Sequence, residues 1–136
     1  MKAITSLLLA VSLIVPTFAE EETKLGEHMG ELSGILKSLR RYEDNDWTGK
    51  AKVAQEAQAE LLKCFAYFPA MLENVPASAE KSQQIVEYKK LLAENYILLC
   101  DLETAFIKQD EDEADDVISE LKSIKKKGHT NYIEEN

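Results

Sequence analysis

The sequence is poor in the residues that build loops and rigid reaction sites. Its 136 residues include five glycines, three prolines, two cysteines and two histidines, too few for a disulfide scaffold or a histidine-rich metal centre. There is no glycine-rich phosphate loop, no nucleophile elbow and no HExxH helix, which leaves a hydrolase or transferase without its usual chemistry. No stretch alternates apolar and polar residues with a period of two, so no strand is expected. Basic residues are outnumbered, 16 against 25 acidic ones, for a formal charge of −9. That balance opposes binding to nucleic acid or to an anionic membrane surface. A non-enzymatic helical protein is the expectation that survives.

What is present begins with a leader. The opening "MKAITSLLLAVSLIVPTFAEEE" has an early lysine, an apolar run from Leu7 to Val15 and a small-residue site ending at Ala19. This is the layout of a secretory signal peptide, and the apolar run is too short to span a bilayer. Residues 1–19 are therefore expected to be removed, leaving residues 20–136 as an exported, periplasmic domain with no membrane attachment. In that oxidising compartment Cys64 and Cys100 call for a pairing test. If their helices fold back near Pro76, about 12 residues of helix separate their levels, roughly 18 Å, and no intramolecular bridge can form. Both are read as free thiols.

Four helical segments follow. The first, about Thr23 to Arg41, carries Leu25, Met29, Leu32, Leu36 and Leu39 at steps of four and three, with Thr23 as a cap. The second, about Thr48 to Phe68, presents Ala51, Ala54, Gln58, Leu61, Leu62, Phe65 and Phe68, with Asp46 or Thr48 as its cap. The third runs from Ser78 to about Lys108 with Ile85, Tyr88, Leu92, Asn95, Leu99, Leu102 and Phe106 as its seam. The fourth, about Glu111 to Ile133, turns Ala114, Val117, Ile118, Leu121 and Ile124 inward, followed by His129 and Tyr132. The acidic stretch Asp110 to Asp116 lacks the ligand spacing and glycine of a calcium loop, and reads as a solvated turn favoured by the helix dipole. Short connections between amphipathic helices imply an all-α, antiparallel up-down-up-down four-helix bundle. A monomer is expected, with Trp47 exposed.

In that topology the start of the first helix and the end of the fourth share one end of the bundle. Met29 and His129 converge there, with Phe65 and Phe68 arriving from the second helix and Tyr88 and Leu92 from the third. Thioether sulfur and imidazole together suit haem iron. His28, adjacent to Met29, points about 100° away around the helix, toward solvent or a groove, and is the rival ligand. Neither histidine has a glutamate three residues earlier, so a di-iron carboxylate site is excluded.

"LGEHMGELSGILK", Leu25 to Lys37, and "EADDVISELKSIKKKGHTNY", Glu113 to Tyr132, resemble the first and last helices of the soluble cytochrome b-562 family. The resemblance implies an electron-transfer protein with one non-covalent haem b per chain, Met29 and His129 as its axial ligands, and unidentified redox partner proteins. It places Tyr88 and Leu92 on the haem wall, with leucine where the family has an aromatic. The C-x-x-C-H of the related c-type bundles is absent, since Lys125 and Gly128 occupy those slots. The basic run Lys125–Lys127 beside His129 suits dipole compensation, haem propionates or an acidic partner. The competing expectation is a haem-free periplasmic bundle with a structural, stress-sensing or partner-binding role.

Overall fold

A computed structural model describes residues 23–132; the expected leader, residues 1–19, lies outside the described residues. The described residues form four helices and no strand: α1 Lys24–Lys37, α2 Trp47–Cys64, α3 Ala79–Ile107 and α4 Glu111–Tyr132. Short 3₁₀ turns cover Ser38–Arg41 after α1 and Ala70–Leu72 after α2. None of these helices is long and apolar enough to cross a membrane.

Each start has a local cause. Thr23, Asp46 and Ser78 each accept a hydrogen bond from a backbone N–H in the first turn, from Gly26, Gly49 and Lys81. These satisfy donors that the helix itself leaves unpaired. The α3–α4 joint is equally economical. Gln109 adopts a left-handed conformation with φ of 58°. The Asp110 N–H then donates back to the Ala105 carbonyl, closing a Schellman cap. The Asp110 carboxylate accepts from the Glu113 N–H and opens α4. The acidic turn expected here is thus a cap at both of its ends.

The ends of α2 differ from expectation. The helix stops at Cys64, so Phe65 and Phe68 lie beyond it. Pro69 disfavours helical backbone at the residue before it, which unwinds the segment early.

The core joins Leu25 of α1, Ala54, Ala57, Leu61 and Cys64 of α2, Tyr88, Leu92, Leu99, Leu102 and Phe106 of α3, and Ala114, Val117 and Leu121 of α4. The seams expected for α3 and α4 are therefore observed as far as Leu121. On α2 the expected Ala51, Ala54 and Leu61 are buried, joined by Val53, Ala57, Glu60 and Cys64, whereas Gln58 is half-buried and Leu62 is 53% exposed. Leu61 and Leu62 lie about 100° apart around the helix, so only one of the two neighbours faces the core. The helices pack in sequence order, α1 on α2, α2 on α3 and α3 on α4, while α1 and α4 hardly meet. Between α2 and α3, Gln58 Nε2 donates to the Leu99 carbonyl at 3.2 Å and to Glu103 at 2.9 Å.

Trp47 is half-buried against Phe106, not exposed as the sequence suggested. The buried Lys50 lies over its ring, 4.6 Å from the centroid, and donates to the Asp44 carbonyl at 3.0 Å. A buried ammonium is tolerable only with such partners.

Gly30 and Gly34 on the outer side of α1 face open space, with nothing within 4 Å of a built Cβ. Neither is demanded by this chain's own packing. Gly30→Ala and Gly34→Ala should each raise stability by about 0.5–1 kcal/mol, read as a higher urea midpoint with an unchanged m value.

Candidate functional site

α1 presents Met29 toward the core, half-buried and packed against the apolar cluster along with Leu32 and Leu36. Its neighbour His28 looks sideways to α2. Its Nδ1 lies 2.7 Å from Oε2 of Glu60, and its ring stacks on Tyr67 with centroids 5.7 Å apart. Lys63 donates to the other Glu60 oxygen at 3.2 Å. The hydrogen bond from His28 holds the Glu60 carboxyl below the usual carboxylate range, with help from Lys63 and against the opposing effect of burial. An ionised carboxylate only accepts, so Nδ1 of His28 carries the proton in this pair. The rival ligand is therefore a committed interhelical contact, and its first nitrogen is occupied.

A group whose folded pKa is lowered stabilises the fold above its unfolded value, about 4.3, and loses that contribution as pH falls through its folded pKa. The melting temperature of the wild type should exceed that of Glu60→Gln at pH 7 and at pH 5. The gap should close below about pH 4. Parallel thermal melts across that range read it directly; a gap that widens in acid would contradict the assignment.

At the end of α4 the inward position is taken by Gly128, where a built Cβ would sit 3.4 Å from Leu91 of α3. His129, one residue later, is exposed. The expectation that His129 continues the buried seam is corrected here: the seam passes from Leu121 and Ile124 to Gly128, and the next residue lies about 100° around the helix. Lys125 sits one turn before His129 on the same face, and its Nζ approaches Oγ of Ser33 on α1 at 3.5 Å. Ser33 in turn lies one turn after Met29.

The remaining expected site residues divide into two groups. Tyr88 and Leu92 are buried in the central cluster, and Phe65 and Phe68 are half-buried against it. Lys81 Nζ stands 5.7 Å from the Phe68 ring centroid. Met29, Phe65, Phe68, Tyr88 and Leu92 thus all belong to or pack against the core cluster, whereas His129 is exposed. No group of three or more potential metal-ligating His, Cys, Asp or Glu side chains occurs among the described residues. A groove of about 800 Å³ runs along the outer side of α1, past Gly30, Gly34, Arg41 and Glu56. A cleft of about 100 Å³ lies between Lys90 and Leu91 of α3 and Lys127 of α4. Neither is lined by Met29 or His129.

Both cysteines are free, as expected. Cys64 is fully buried, and its thiol is pushed up to about 11 by burial and by the Glu60 charge. Burial and the charge on Glu103 raise Cys100 as well. Neither sulfur is a thiolate at neutral pH, so neither is a ready metal ligand or nucleophile.

No family model, curated protein or solved structure matches this chain.

Glu60 and Tyr67 are the residues that sequence reasoning passed over. A hairpin turning near Asp44 sets positions 28 and 60 level, so the ion pair was available to anyone asking what opposes His28.

Proposed function

We propose that the four helices form an antiparallel up-down-up-down bundle, and that this is an exported, periplasmic electron-transfer protein. It would take one non-covalent haem b along the α1–α4 seam, with Met29 and His129 as ligands. The observation that carries the reading is the 3.5 Å approach of Lys125 to Ser33. Stepping one turn back along α1 from Ser33 reaches Met29. Stepping one turn onward along α4 from Lys125 reaches His129. In antiparallel helices these two steps run the same way, about 6 Å each, so positions 29 and 129 would lie level, with the exposed His129 side chain having to turn inward to meet Met29.

The donor set fits. Met29 and His129 are the side chains that would hold the haem, and such a group, when bound, would supply a one-electron couple. The chain's own part is to bind and to exclude water. Met29 supplies a soft ligand from a half-buried position; the cluster containing Tyr88 and Leu92 gives a low-dielectric wall. Lys122 and Lys125 to Lys127 provide cations for propionates or for an acidic redox partner. The exposure of His129 favours one other reading, a haem-free bundle with a structural, stress-sensing or partner-binding role. Titration of the purified protein with hemin separates the two. A one-to-one endpoint with low-spin b-type bands on reduction is the result expected of the carrier. A free-hemin spectrum throughout leaves only the haem-free bundle.

A further inference from the structure

The outer face of α3 carries a second apolar stripe that the core does not use. Val86, Ala93, Cys100 and Ile107 recur every seven residues, and Ile97 falls between them at the intervening coiled-coil position. Val86, Ile97 and Ile107 are 48%, 59% and 66% exposed. A helix with one buried and one exposed apolar stripe has two faces to satisfy, and the chain's own helices cover only the first.

We propose that this stripe docks a second copy of the chain, with the two α3 helices antiparallel and the twofold axis passing between Ile97 and Cys100. The charges select that occupant and that direction. The first half of α3 carries Lys81, Lys89 and Lys90 against Glu80 and Glu87, a slight basic excess, and lies beside the lysine-rich end of α4, as the Leu91–Gly128 contact shows. The second half carries Asp101 and Glu103 and runs into the acids of residues 110–116. An antiparallel pairing sets each basic half against the acidic half of its twin, whereas a parallel one stacks like on like. Along the stripe's edges it brings Lys89 toward Asp110 of the second copy and Glu87 toward Lys108. It also opposes Glu94 to Asp101, one like-charged pair repeated across the axis. A single helix face falls short of the roughly 800 Å² per partner of a standard interface. The dimer is accordingly weak and reversible, and it replaces the monomer expected from sequence. It lies on α3 and does not depend on whether the α1–α4 seam holds haem.

Sedimentation equilibrium of the purified protein from about 10 μM to about 1 mM tests it. The wild type should move toward twice the chain mass as concentration rises. Ile97→Glu should stay at one chain mass throughout with an unchanged thermal melt, because the side chain it replaces is mostly in solvent. Glu94→Lys turns two repulsions into attractions and should tighten the dimer roughly tenfold at low salt. A wild type that stays monomeric to the top of the range overturns the proposal, as does a dimer that Ile97→Glu leaves intact. A Glu94→Lys dimer no tighter than wild type overturns the antiparallel order.

Discussion

In His129→Ala, the low-spin spectrum of the hemin-loaded protein disappears and hemin affinity falls by at least about 100-fold. The melting temperature of the haem-free variant stays within a degree or so of wild type, because an exposed side chain contributes little packing. This separation makes the experiment decisive: the proposed ligand is a side chain the fold does not need, so it can be removed without touching the fold. Imidazole added to the variant should restore a six-coordinate spectrum, since it can replace the missing nitrogen.

Met29→Ala tests the other face and cannot be so clean. The residue is half-buried on the core, so its removal should lower stability by about 1–2 kcal/mol as well as abolish the low-spin bands. His28→Ala is the control for the rival ligand. It should leave the spectrum intact while lowering stability, because it strips Glu60 of its hydrogen-bond partner. If the spectrum collapses in His28→Ala and survives in His129→Ala, the assignment of the ligands is wrong.

The second large effect concerns the core. Leu102→Ala should cost about 3 kcal/mol, measured as a lower urea midpoint at constant m. Its side chain is fully buried, so truncation leaves a cavity that close-packed neighbours on α2 and α4 only partly collapse into. For a domain of this size, whose total stability is on the order of 5–15 kcal/mol, that is a substantial share. Leu62→Ala supplies the comparison. The apolar pattern of α2 puts Leu62 on the seam, yet it is 53% exposed, and its truncation should change stability by less than about 0.5 kcal/mol. Equal losses in the two variants would mean that α2 is rotated relative to the face described.

These two leucines mark where sequence reasoning holds and where it stops. Leu102 sits in a helix whose seam steps regularly through Tyr88, Leu92, Leu99 and Phe106, large residues set among charged ones. The outer stripe of Val86, Ala93, Ile97, Cys100 and Ile107 is interrupted by Lys90 and Thr104, so the seam of larger side chains is the one the core takes. Leu62 adjoins Leu61, and it is Leu61 that is buried. Two adjacent leucines about 100° apart have the same transfer energy, so neighbouring helices choose which of them faces inward.

The candidate site divides along the same line. Met29 belongs to a strong seam, and its position was legible. His129 follows Gly128, and which of the two adjacent residues looks inward depends on the contact with Leu91, a residue of another helix. One residue is 100° of rotation, a difference no composition or period can report over the final turn of a helix. The His28–Glu60 pair is likewise a product of how α1 lies on α2.

By itself, then, the chain determined its helices, the caps that start them at Thr23, Asp46 and Ser78, and the apolar stripes of α3 and α4, because all of these are decided by interactions within a few residues. Only the tertiary structure decided which of Leu61 and Leu62 faces inward, the partner of His28, the exposure of His129 and the sparse α1–α4 contact. Those are outcomes of competition between whole faces, settled by contacts dozens of residues apart in the sequence, where differences of about a kilocalorie choose among alternatives that local propensity leaves nearly equal.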